Sequence, residues 1–175
     1  MNNRTFFAST GIVVLLFNIG QAMAMSHASR PLDIKTNGTQ IFACIPLDED
    51  DVVEVTDAGV AAVGGLNERL PPMPWVIKLR DLATPLKLKP GQCLEFHKLP
   101  DGYTNTSPDS DLQDDFPYSF GIRSDDIGKY GTRNHTGEFC ISRSGGSIRL
   151  VQIPRSPAVI TTSTCKQLLE SIHSP

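Results

Sequence analysis

At 175 residues, with 16 Lys and Arg against 19 Asp and Glu for a formal charge of −3, this chain has the length of one ordinary domain and is mildly acidic. The balance speaks against nucleic acid, which calls for clustered positive charge to neutralise phosphates, and suits a partner with a basic surface.

The first 24 residues, "MNNRTFFASTGIVVLLFNIGQAMA", follow the order of an export signal. Arg4 is the only charge, an apolar run extends from Phe6 to Phe17, and Ala22-Met23-Ala24 places small residues at alternate positions. A membrane-crossing helix needs about 20 predominantly apolar residues, and Asn18 and Gln21 interrupt this run too early. Cleavage is expected between Ala24 and Met25, leaving a chain that is not embedded in a membrane. No cysteine lies near the cut to carry a lipid. Without Arg4 the net charge becomes −4. The expected location is the periplasm or the cell exterior.

Residues 25–36 are polar and irregular and read as a flexible lead-in; residues 37–175 read as one domain. "GTQIFACIP", bounded by Asn37-Gly38 and Pro46, predicts a strand, and "DVVEVTD" a second short one. "AGVAAVGGLNERLPPMP", punctuated by Gly64-Gly65 and Pro71-Pro72, reads as loop. "WVIKLRDL" alternates Trp75, Ile77 and Leu79 with Val76, Lys78 and Arg80. In "PLKLKPGQCLEFHKL" two alternating runs flank a Pro90-Gly91 turn, the second reaching His97. Residues 99–116, rich in Pro, Asp, Ser, Thr and Gly, predict a long exposed loop. "PYSFGIRSD" puts Tyr118, Phe120 and Ile122 in phase. "GEFCISRSGGSIRLVQIP" predicts a hairpin turning at Ser144-Gly145-Gly146. In "TSTCKQLLESIHS" the period changes: Cys165, Leu168, Leu169 and Ile172 share one helical face, with Thr162 or Ser163 as cap. About seven short strands and one C-terminal helix predict an all-β fold, a small immunoglobulin-like antiparallel β-sandwich.

Cys44, Cys93, Cys140 and Cys165 make an even count behind an export signal, which reads as a disulfide framework. The nearest two are 25 positions apart, unlike the close ligand pairs of zinc sites. Four cysteines allow three pairings, and spacing does not choose among them. Cys44–Cys93 with Cys140–Cys165 is favoured because the second bond would staple a helix too short to be stable alone. By loop-closure entropy these bonds would contribute about 4 and 3.5 kcal/mol.

No nucleophile elbow or zinc-protease motif occurs, so no catalytic residue is assigned. Of the histidines, His27 and His173 lie near the termini of the exported chain, His97 in a strand and His135 in a polar turn. No cofactor or metal is expected. "DSDLQDD" resembles a calcium loop only in its density of carboxylates, since Gln113 and Asp114 stand where an oxygen ligand and a glycine belong. Asn37, Asn105 and Asn134 begin glycan-acceptor triplets that matter only in a eukaryotic source. The remaining candidates are two acidic clusters: Asp48, Glu49, Asp50 and Asp51, continuing to Glu54 and Asp57, and then Asp109, Asp111, Asp114 and Asp115. Charge of one sign speeds encounter with an opposite surface and sets register.

"NGTQIFACIP", "LKPGQCLEF", the aromatic strand "PYSFGIR" and "GEFCIS" together resemble a group of small Gram-negative periplasmic proteins described as type VI secretion immunity proteins, often lipoproteins. The likeness runs from Asn37 to Ile153. The chain departs from the pattern in lacking the lipid-attachment cysteine, in the 99–116 insertion and in the helix with Cys165. The resemblance implies a β-sandwich that neutralises a secreted toxin by covering it, with contacts from the acids of 48–57 or the loop 101–115. The alternatives are a structural or adhesion module of the envelope, or a secreted hydrolase in which His97 or His135 shares a pocket with a carboxylate and a nucleophile.

Overall fold

The computed structural model describes residues 29–64, 69–108, 110–126, 131–154 and 160–171. Among them lie twelve strands: β1 (Arg30–Pro31), β2 (Asp33–Thr36), β3 (Ile41–Cys44), β4 (Val53–Val55), β5 (Asp57–Ala62), β6 (Trp75–Leu79), β7 (Leu86–Leu88), β8 (Cys93–Glu95), β9 (Tyr103–Asn105), β10 (Pro117–Asp126), β11 (Gly131–Ser144) and β12 (Ser147–Ile153). One helix, α1 (Thr162–Ser171), follows. The fold is an all-β sandwich with a short C-terminal helix. There are more strands than the expected seven because several are only two to four residues long, below the length at which alternation can be read.

The large sheet runs β1-β11-β10-β5-β6-β9, with β12 on the other part of β11. Against it pack the sheet β2-β3-β8 and the pair β4-β7. The core between them holds Trp75, Tyr118, Phe120, Ile122, Phe139 and Ile141 of the large sheet and Ile34, Ile41, Ala43, Val55 and Leu94 of the smaller ones. Trp75 meets Phe120 edge-on at 5.8 Å and Phe96 at 5.7 Å. The buried Tyr103 hydroxyl donates to the Val55 carbonyl and accepts from the Leu86 amide, tying β4 and β7 to the large sheet. The β11–β12 hairpin turns where expected, through Gly145 and Gly146 at φ of 60° and 81°, the positive values a two-residue hairpin loop demands.

Four expectations require correction. Residues 30–36 are not a loose lead-in: β1 runs parallel to β11, the exception in an otherwise antiparallel architecture, and β2 pairs with β3. Residues 57–62, read mostly as loop, form β5 inside the large sheet between β10 and β6. Its small residues conceal the strand yet permit it, for a Cβ on Gly59 would lie 3.0 Å from the Trp75 carbonyl oxygen. The 99–116 segment contains β9 and buries Leu112, while the Gln113 amide bonds the Tyr118 hydroxyl at 2.8 Å. His97 does not continue a strand; β8 stops at Glu95 and His97 sits at φ 65°.

The disulfides are Cys44–Cys93 and Cys140–Cys165, the favoured pairing. Cys165 and Leu169 of α1 pack with Cys140 and Ile153 in a second apolar cluster. The cap falls one residue early: Thr161 Oγ1 accepts the Thr164 amide at 3.3 Å, and Thr164 Oγ1 accepts the Thr161 amide at 3.4 Å. This reciprocal bonding satisfies orphan amide donors at the helix start.

Between β1 and β2 the chain leaves the large sheet and crosses to the small one over Gly137. Leu32 donates to the Thr136 carbonyl at 3.0 Å, and the Gln152 amide bonds the Leu32 carbonyl and the Ile34 N–H. A Cβ at Gly137 would lie 2.7 Å from Ile34 Cγ1 and 2.8 Å from the Leu32 carbonyl oxygen, whereas one at Gly121 meets nothing within 4 Å. Gly137→Ala is therefore expected to lose about 1–3 kcal/mol through overpacking against backbone, and Gly121→Ala to stay within about 0.5 kcal/mol of the parent. Urea denaturation of both variants checks this, and equal losses would remove the crossing as the reason.

Candidate functional site

The first acidic cluster forms a loop between β3 and β4. Its base is closed by the Ile45 amide on the Gln92 carbonyl at 2.9 Å and by the Gly91 amide on the Ile45 carbonyl at 2.8 Å. Glu49 donates its amide to the Pro46 carbonyl at 3.2 Å, making a turn. From there the side chains alternate. Asp48 and Asp50 face solvent, while Glu49 turns inward with a side chain only 8% exposed. Asp51 is half-exposed and reaches back to two arginines. Leu47 and Val52, 82% and 48% exposed, flank the acids as uncovered aliphatics.

The inward acids meet a cationic cradle on β1 and β11. Arg30 Nη1 bonds Glu49 Oε1 and lies 3.8 Å from Asp51 Oδ2. Arg133 Nη1 bonds Asp51 Oδ2 at 2.6 Å. His135 Nε2 lies 3.6 Å from Glu49 Oε2, outside hydrogen-bond range, and neither ring nitrogen has a hydrogen-bond partner among the described residues. The register puts Arg30 directly beside His135 across the parallel β1–β11 pair. Half the cluster thus braces the loop and half is presented. Asp48 and Asp50 make no ion pair among the described residues.

The described acids of the second cluster, Asp111, Asp114 and Asp115, are all exposed, and one of them is tied down. Asp114 accepts from Arg143 through Nη1 at 2.8 Å and through the backbone amide at 3.2 Å, while the same guanidinium bonds the Leu112 carbonyl at 2.7 Å. Asp115 is exposed at φ 57°, its amide on the Ile141 carbonyl. Asp111 is exposed on the wall of an open groove of about 600 Å³ shared with His97 and Arg143. Asp109 lies outside the described residues, as do Ala24, Met25, His27 and His173. The two acidic clusters do not merge into one patch.

Two glycan-acceptor triplets have a local role. Asn37 Oδ1 accepts from the Thr39 and Gln40 amides, and Asn105 Oδ1 from the Ser107 amide, so each side chain closes its own turn. At His135 the pieces of a hydrolytic site approach without joining. The ring shares the wall of a cavity of about 300 Å³ with Ser124, which stands two positions along β10 from Ile122, the register partner of His135, but the hydrogen bond that would activate a serine is not formed. Among the described residues no three His, Cys, Asp or Glu side chains converge as a metal site, and no helix is long and apolar enough to cross a membrane.

No protein family, curated protein or solved structure matches this chain.

The roles of Arg30, Arg133 and His135 escaped the sequence reading because each answers an acid far away in the chain. His135 is 1% exposed. Burial pushes its imidazole below the ordinary 6.5; Glu49 pulls it upward, and Arg30 and Arg133 push it further down. The unfolded chain therefore takes up this proton at a higher pH than the folded one. The stability concerned is complete above pH 6.5 and is lost as pH falls through that value toward the folded pKa. The urea midpoint is expected to fall as pH drops below 6.5, and His135→Phe to flatten that part of the profile. Superimposable profiles for parent and variant would assign the effect elsewhere.

Proposed function

We propose that this chain is an exported binding protein that docks the braced loop 47–52 on a basic protein surface, and that it serves in the periplasm to neutralise a secreted toxin by covering it. The observation that carries the docking reading is the split of the acidic cluster: Glu49 and Asp51 hold the loop to Arg30 and Arg133, while Asp48 and Asp50 stand free between exposed Leu47 and Val52. Unpaired carboxylates bracketed by exposed aliphatics fit a partner with a Lys or Arg patch flanked by apolar surface. Pre-bracing lowers the entropy lost on binding. The export reading is supported by the N-terminal pattern and by two disulfides, bonds that persist in oxidising compartments. The toxin-blocking reading is supported by the resemblance between Asn37 and Ile153.

Affinity capture with the tagged exported chain from its own organism tests this. One basic protein in stoichiometric amount is expected. Asp48→Lys with Asp50→Lys is expected to slow its association at least about tenfold, the scale of electrostatic steering, with an unchanged unfolding midpoint. Equal capture by parent and variant would move the contact away from this loop. Recovery of the chain alone would favour an envelope module instead.

A further inference from the structure

The two disulfides stand in opposite surroundings. Cys140 and Cys165 are both 0% exposed, sealed by Ile153 and Leu169. Cys44 is 2% exposed, but Cys93 lies open at the surface. Cys44 and Cys93 are directly opposed across β3–β8, next to the pair Ala43–Leu94. Ala43 and Leu94 belong to the core, so strand alternation turns the cysteine side chains to the outer face of the small sheet. That face carries an open groove of about 610 Å³, lined by both cysteines with Phe42, Leu86, Lys35, Lys98 and Pro100. Lys35 lies 3.4 Å from Asp33 and Lys98 3.3 Å from Glu95, so charge on the groove is largely balanced and its apolar wall dominates.

We propose that Cys44–Cys93 is a thiol-exchange site, opened by an external thiolate that enters this groove, while Cys140–Cys165 stays closed. The thiolate attacks Cys93 Sγ, the accessible sulfur, in line with the S–S bond. A bond forms between the incoming sulfur and Cys93, the Cys93–Cys44 bond breaks, and the electron pair leaves on Cys44, which then takes a proton from water. A second thiolate attacks the incoming sulfur of the mixed disulfide and releases Cys93. In sum, two external thiols are oxidised to one disulfide and the protein disulfide is reduced to two thiols by two electrons. Access and the choice of attacked sulfur govern such exchange. The groove provides both here, and the sealed environment of Cys140 and Cys165 denies both. The attacking thiolate can come from a small thiol or from a protein dithiol.

The test uses the folded full chain in two arms, one with reduced glutathione and one with a small Cys-x-x-Cys oxidoreductase. Both are acid-quenched, alkylated and mapped by peptide mass. Cys44 and Cys93 are expected to open at least about tenfold faster than Cys140 and Cys165, as access dictates. In the glutathione arm a transient adduct is expected on Cys93. Faster opening in one arm identifies the source of the thiolate. Equal opening of the two bonds, earlier opening of Cys140–Cys165, or an adduct on Cys44 would overturn the proposal. In Cys44→Ser the remaining Cys93 thiol is expected to label in the folded state; should that variant not fold, the race between the two bonds in the parent protein decides alone.

Discussion

The approach of Leu32 and Ile34 to the bare Cα of Gly137 is the constraint on which the rest of this molecule hangs. It lets one continuous segment serve two sheets: β1 lies parallel to β11, Leu32 bonds Thr136, and β2 then continues beside β3. With a side chain at 137, the segment would have to lift away from β11. Arg30 would then lose its place beside His135, and the cradle beneath the acidic loop would come apart. A packing requirement at one glycine is thereby coupled to the geometry of a surface loop whose residues it does not touch.

That cradle is not a large store of stability. Arg30 is 40% exposed and Asp51 49% exposed at the side chain, a setting in which ion pairs contribute about 0–1 kcal/mol. Glu49 is the exception. Its side chain is 8% exposed, so losing Arg30 would strand a nearly buried carboxylate, and one-sided removal of this kind costs far more than the intact pair contributes. The network is better understood as positional. It fixes which acids point inward and leaves Asp48 and Asp50 outward, trading little energy for a defined shape. His135 belongs to the same device and is held neutral by its burial. A charged ring at that spot would face Arg30 and Arg133 as well as Glu49.

What the sequence disclosed and what it concealed divide along a physical line. Strands with large alternating residues, such as Trp75–Leu79 and Pro117–Asp126, were legible because burial of one face leaves a period of two. The helix was legible from the spacing of Cys165, Leu168 and Leu169, and the hairpin from Gly145-Gly146. β5 was hidden because Ala58, Gly59, Ala61 and Ala62 carry almost no strand signal of their own. Their fitness lies in the closeness of Trp75 and Val76. β1 and β2 were hidden because six residues split between two sheets never complete a pattern. The candidate loop was legible as charge but not as geometry: nothing local to "DEDD" says that Glu49 and Asp51 are anchors, since Arg30, Arg133 and His135 reach them only through the fold.

The stiffness of the loop has two separate sources. One is the charged cradle beneath Glu49 and Asp51. The other is covalent: Cys44 is bonded to Cys93, and the next residue, Ile45, is bonded on both sides to the Gly91–Gln92 turn. Leu47, though 82% exposed, touches that same turn at one methyl, close enough that a Cβ on Gly91 would lie 2.9 Å from its Cδ2 atom. The two act at different points, the disulfide at the base and the cradle under the middle. Ionic strength weakens only the cradle, because exposed charges are screened and covalent bonds are not. A reductant weakens only the base. The loop therefore keeps one restraint when either condition removes the other, and it becomes free to sample many shapes only when both are lost.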